Sequence, residues 1–193
     1  MNYTQEQYEA LYYLNKLLPR LKTMKKFERD LILAAQKIKE DLVPGLKKLD
    51  AFGNSPKIRK VLAEIEQVLA KYGENYPKIA PTPAQKNMDY LVHIFRLSKE
   101  ECAVVYFLSA MQNNELLQEC VREFGADLEE EDNTLTMVAG LPKGLGNSLL
   151  NQDAPLMRLG ILFRTRYRGN LNLSSWVQEF IFSLHKNDAA RYK

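Results

Sequence analysis

Seven polar side chains in the last third of the chain have the types and order of a nucleic-acid-reading surface: Lys143, Asn147, Asn151, Arg158, Arg164, Arg166 and Arg168. Side-chain amides can pair with base edges, and guanidinium groups can meet phosphates. Asn147 and Asn151, with Gln152, are expected on the outer side of a short helix from Gly144 to Gln152. Arg158 falls just before a strand. Alternation along that strand is expected to turn Arg164 and Arg166 away from the side of Ile161 and Phe163, toward solvent. Charge weighs against this reading. Lys143 is the only cation beside the amides, and neutralised phosphates supply most of the affinity for nucleic acid. A hairpin with a charged outer face accounts for the arginines more simply.

Other chemistries find less support. The run from Gly140 to Ser148, GLPKGLGNS, holds glycines, a lysine and a serine, but not in the order GxxxxGK[ST], and it follows a helix where a phosphate loop follows a strand. His93 and His185 are far apart and each lies in a helical pattern, so no zinc site is expected. The acidic run Glu129 to Asp132 lacks the turn glycine of a calcium loop and reads as a solvated stretch placing negative charge near a helix start. Cys102 and Cys120 are not spaced as CxxC, and each fits a helix as a packing thiol. No GxSxG occurs. The expectation is a non-catalytic chain with no cofactor and no metal.

The element that would position the polar set runs from Thr134 to Phe163. Leu135, Val138 and Ala139 mark a helix; Gly140, Pro142 and Gly144 mark a turn; Leu145, Leu149 and Leu150 mark a second helix; Gly160 to Phe163 reads as a strand. Leu156 to Thr165 continues the alternating pattern, Arg168, Gly169 and Asn170 signal a turn, and Leu171 to Leu173 can return as the partner strand. Helix, turn, helix and a β-hairpin form the order of a winged-helix unit. Ser174 or Ser175 is expected to cap a last helix with Trp176, Val177, Phe180, Ile181 and Leu184 on its apolar face.

Upstream, Thr4 and Gln7 form a capping box for a helix to about Leu18, and Pro19 marks a break or a new first turn. A long helix is expected from Arg20 to Val43, its seam interrupted by Glu28 and its end marked by Pro44 and Gly45. Ser55 and Pro56 open a third helix, to about Tyr72, with a stripe of Ile58, Val61, Leu62, Ile65 and Leu69. Glu74 to Pro83 carries three prolines and no period. Helices are then expected from Pro83 to Phe95, from Ser98 (a second capping box, with Glu101) through the apolar run Cys102 to Leu108, and from Asn114 to Phe124. The run Cys102 to Leu108 is apolar nearly all round and should lie centrally.

The fold class is therefore mainly α: a helical hairpin or small bundle over 1–76, a proline-rich linker at 77–83, and a winged-helix-like domain with one small β-hairpin and a C-terminal helix over 84–193. The near-heptad seams of the first part could pair with a second chain to give an oligomer, although packing within the chain is the simpler outcome. Net charge is +3 over 193 residues. Up to Ala80 there are 15 basic and 10 acidic side chains, and beyond it 12 and 14, so the positive excess lies away from the helix-turn-helix. No apolar run approaches the roughly 18 residues of a membrane span. The start, MNYTQEQYEALYY, has no basic region followed by an apolar one, so it is no secretory signal. A cytoplasmic protein without a membrane partner is expected.

From about Asn87 to Phe182 the pattern resembles the helical domain found N-terminal to the ATPase module in a group of prokaryotic AAA-family ATPases. The matching features are the LSKEE entry and apolar continuation of Leu97 to Leu108, the paired Leu116 and Leu117, and VAGLP at Val138 to Pro142. LLNQDAPLMRLGIL, Leu149 to Leu162, matches a leucine-bearing helix, an Asp-x-Pro-Leu link and a Gly-Ile-Leu strand, and a terminal helix follows. The match covers about half of the chain. The family carries Walker A and Walker B motifs downstream, and this sequence reaches Lys193 with neither. The resemblance therefore implies the detached N-terminal part of a longer ATP-binding protein, or a free-standing relative. It implies an accessory domain that recruits substrates or adaptors or regulates the motor, with a protein or the ATPase module as partner. A winged-helix DNA-binding regulator is the alternative.

Overall fold

A computed structural model describes residues 3–40, 42–49, 56–73, 83–124, 131–138, 140, 146–165 and 171–183. The protein is mainly helical with one small antiparallel β-hairpin. The first helix, α1 (Gln5–Leu21), opens on the expected capping box: Gln7 N donates to Thr4 Oγ1 at 3.2 Å and Thr4 N to Gln7 Oε1 at 2.9 Å. It does not break at Pro19. Proline here removes the donor to Asn15 O and crowds that carbonyl, a cost offset by the full burial of Leu17 and Leu21 on either side of it. The single helix expected over Arg20 to Val43 is instead a turn followed by α2 (Phe27–Ile38). Thr23 donates its hydroxyl to Arg20 O at 2.7 Å and closes α1. Glu28, the flaw in the seam, lies exposed in the first turn of α2, where the helix dipole favours a carboxylate. Extended backbone at Lys39 ends α2, and a turn through Gly45 (φ +88°) leads to a 3-10 turn at Leu46–Lys48.

Helix α3 (Pro56–Gly73) buries Ile58, Val61, Leu62, Ile65 and Leu69, the stripe its spacing defines, and packs along α1. Tyr72 meets Tyr3 and Tyr8 at ring distances of 4.8 and 6.0 Å. The expected linker at 77–83 lies outside the described residues except for Pro83, the first residue of α4 (Pro83–Phe95). Next come α5 (Lys99–Asn113), capped by Ser98 and Glu101, and α6 (Glu115–Glu123), capped by Asn114. The helices before and after the proline-rich stretch share one continuous core, from Tyr3 to Ile181. Helix α2 packs on α6, and α1 packs on both α6 and α7 (Glu131–Val138).

Two asparagines join distant elements. Asn114 caps α6 through Leu117 N (2.9 Å) and donates to Glu6 O (3.0 Å) and Glu9 Oε2 (2.9 Å) on α1. Asn87 on α4 donates to Phe180 O (3.3 Å), Ile181 O and Ser183 O (both 2.9 Å), carbonyls that the end of α10 (Ser175–Phe182) leaves without helical partners.

Cys120 is buried against Ala34 O, at 3.4 Å. Burial pushes its thiol up to about 12 from 9.0. The fold thus disfavours the thiolate: the stability tied to this group is complete below pH 9.0 and is lost as pH rises from there toward about 12. A disulfide reagent at neutral pH is expected to modify Cys120 only on unfolding, and half-buried Cys102 faster; equal rates in the native protein would contradict the burial.

Beyond α7, Gly140 takes the left-handed turn (φ +72°) that its place predicts, and residues 141–145 lie outside the described set. Helix α8 (Gly146–Leu150) packs on α7 and stops two residues before its expected end at Gln152. There Asn151 Oδ1 accepts from Asp153 N at 2.9 Å, and Pro155 opens α9 (Pro155–Arg158), a helical turn where alternation had placed strand. The strand β1 (Leu162–Arg164) therefore starts late. It pairs antiparallel with β2 (Leu171–Leu173), Leu162 facing Leu173 and Arg164 facing Leu171. Leu162, Leu171 and Leu173 are buried, and Phe163 is exposed.

Candidate interaction surface

The late start of β1 inverts the expected phase. Phe163 points outward, and Arg164, on the inner side with Leu162, is half-buried and donates Nη2 to Leu150 O at 3.2 Å. The arginine expected to meet solvent instead ties the hairpin to the end of α8. Asn151 is exposed beside that carbonyl, with its amide oxygen held in the turn by Asp153. Arg158 is exposed at the end of α9. Asn147 falls in α8, with its side chain outside the described set, as are Lys143, Arg166 and Arg168. Among the described members of the expected set, Arg164 reaches the carbonyl of Leu150, which precedes Asn151 at the end of α8, and Arg158 lies on α9.

What stands out on the surface is apolar. Ile94, Leu159, Phe163, Trp176 and Phe182 are the large hydrophobic side chains left exposed among the described residues, and four of them belong to the segment 159–182. Trp176 was expected inside, and the structure leaves it 40% exposed. Val177 and Ile181 fill the inward face of α10 in its place. Its indole N–H donates to Gly160 O at 2.9 Å, and its ring lies tilted against Phe95 at 5.9 Å. Trp176 thereby joins three segments: 94–96 at the end of α4, 158–160 after α9, and the start of α10. One signal could have found it. Five of the eight residues of α10, SWVQEFIF, are large and apolar, more than a helix packed on one face can bury.

The end of α4 beside Trp176 has an unusual shape. Leu97 N donates to Val92 O at 3.1 Å and Arg96 N to His93 O at 3.4 Å, the bonds of a Schellman C-cap. Arg96 occupies the position that usually holds glycine, at φ +50°. A shallow pocket of about 720 Å³ opens there, lined by Val92, His93, Ile94, Arg96 and Leu97. Arg96→Gly is expected to raise stability by up to about 1 kcal/mol in urea unfolding, by relieving left-handed strain; a loss of stability would show that the arginine side chain holds the cap.

A larger groove, of about 970 Å³, lies between α1, α4, α5 and the end of α10. It explains why α5 is less central than expected, since Cys102, Ala103 and Tyr106 face this groove and are only half-buried. Tyr106 donates its hydroxyl to Asp89, and burial together with that bond pushes its pKa up. Burial, reinforced by the Glu101 carboxylate, pushes the Cys102 thiol up as well. Both groups are thus held in their neutral forms, in which a thiol is a poor nucleophile. Met88, Ala110, Ile181 and Phe182 give the groove its apolar lining, and Glu9 and Lys16 on α1 give it charge of both signs. Lys16 Nζ is engaged with Val138 O at 3.4 Å and lies over the Tyr12 ring.

Among the described residues no group of three or more His, Cys, Asp or Glu could hold a metal ion, and no helix is long and apolar enough to cross a membrane. No family model matches the chain, and comparisons with curated proteins and with solved structures find no match either.

Proposed function

We propose that the chain is a non-catalytic protein-interaction module, accessory to an AAA-type ATPase, whose helix-turn-helix and hairpin form a winged-helix-like scaffold for docking. The observation that carries this reading is the set of exposed apolar side chains on α4, just after α9, on β1 and on α10, with Trp176 at the junction of three segments. Trp is enriched at the anchor points of protein contacts, and here it stands exposed where three segments meet. The similarity of residues 87–182 to the domain that precedes AAA motors supplies the kind of assembly. The inward turn of Arg164 weakens the competing reading as a DNA-binding regulator, since that reading needs Arg164 on phosphates.

A salt-titrated anisotropy measurement with duplex DNA separates the two. Weak binding, insensitive to sequence and unchanged by Arg164→Ala with Arg166→Ala, is the expected result. Sequence-specific binding that falls steeply with salt and disappears in that double variant would replace the module with a regulator.

A further inference from the structure

Resting on the protein-docking reading, we infer that the surface around Trp176 takes an acidic partner segment, one that sets a large aliphatic or aromatic side chain beside carboxylates. The juxtaposition is of apolar and positive groups. Phe95 and Gly160 both touch the indole, and the residues just before them in sequence, Ile94 and Leu159, are exposed. In the same segments Arg96 and Arg158 are exposed, as is His93, two residues before the end of α4. The stretches 92–97, 158–160 and 175–177 contain no acidic residue. Glu179, one turn further along α10, is the nearest acid in sequence. An apolar anchor seated against the indole would therefore bring its neighbouring side chains toward segments that each carry an exposed guanidinium group, and carboxylates complete that pairing.

The strained backbone of Arg96 points the same way. Glycine would fit its left-handed position without strain, and strain of this kind concentrates where a side chain serves recognition. Nucleic acid would also use arginine and tryptophan together, but it requires an accessible aromatic face for each stacked base. Here the indole leans tilted on the Phe95 ring, and its N–H is held by Gly160 O.

The test uses the whole chain and three fluorescent probes: an amphipathic peptide of leucine and glutamate, the same peptide with lysine for glutamate, and a single-stranded oligonucleotide. The leucine–glutamate peptide is expected to bind best, to weaken with salt, and to lose about tenfold or more in affinity with Arg96→Glu and Arg158→Glu combined. Both positions are exposed, so these variants are expected to keep the wild-type circular dichroism and melting profile. Arg59→Glu, exposed on α3, should leave binding unchanged. No binding of the acidic peptide, equal binding of the lysine peptide, or indifference to the two charge reversals overturns the acidic partner while leaving a docking module intact. Preferential binding of the oligonucleotide, lost in the same variants, overturns the docking module itself.

Discussion

Leu14→Ala is expected to lower the stability of the whole chain by about 2–5 kcal/mol. Leu14 is fully buried on α1, the helix that packs on α3, α6 and α7. Truncation removes apolar surface and leaves a cavity that this many-sided packing cannot easily close. Because one core spans both sides of the proline-rich stretch, the loss should appear in a single cooperative urea transition. Backbone amides of α3 and of α5 should lose hydrogen-exchange protection together. Two separated transitions, with α5 untouched by the substitution, would show that the helices before and after that stretch unfold independently.

Asn114→Leu is expected to cost about 2–4 kcal/mol, from a lost helix cap together with buried polar groups left without this partner. The side chain is 1% exposed and serves three groups at once: Leu117 N, Glu6 O and the Glu9 carboxylate. Leucine has a similar branched shape and can satisfy none of them. Asn114→Asp separates the contributions, since it keeps an acceptor for Leu117 N but sets a second carboxylate against Glu9. That variant should therefore be stabler at acidic pH, where either carboxylate can be protonated, than at neutral pH. Urea unfolding of both variants measures the effect. A loss below about 1 kcal/mol in Asn114→Leu would mean that water or a neighbour replaces the lost bonds.

Much of this architecture is legible in short sequence patterns, because caps and breakers act locally. Thr4 with Gln7, Ser98 with Glu101, Pro56 and Pro83 each start a helix where their side-chain chemistry dictates. Periodicity misleads where it continues through a turn. Leu21 and Leu31 lie on one seam in sequence, yet Thr23 closes α1 between them. The hairpin was recognisable from its turn residues and Leu171 to Leu173, but its phase was not. Asn151, Asp153 and Pro155 form a turn and a helical segment that delay the strand, and so exchange the sides of Phe163 and Arg164. That exchange bears directly on the candidate site, since alternation is the basis for expecting Arg164 at solvent. Asn87 and Asn114 carry no local sign that their amides reach carbonyls on other helices. The apolar excess of α10 implies that not all of its large side chains are buried, and the structure leaves Trp176 outside, since Val177 and Ile181 fill the inward face.

Trp176 is the single tryptophan of the chain, so its emission reports the surface on which the functional reading rests. Acrylamide quenching of the native protein, compared with the same protein in urea, measures directly whether that surface stands open. The expected result is substantial quenching of the native protein, a sizeable fraction of the unfolded value, in keeping with a side chain 40% exposed. An indole shielded from acrylamide in the native state would mean that the face is already covered, and would contradict its role as a docking surface.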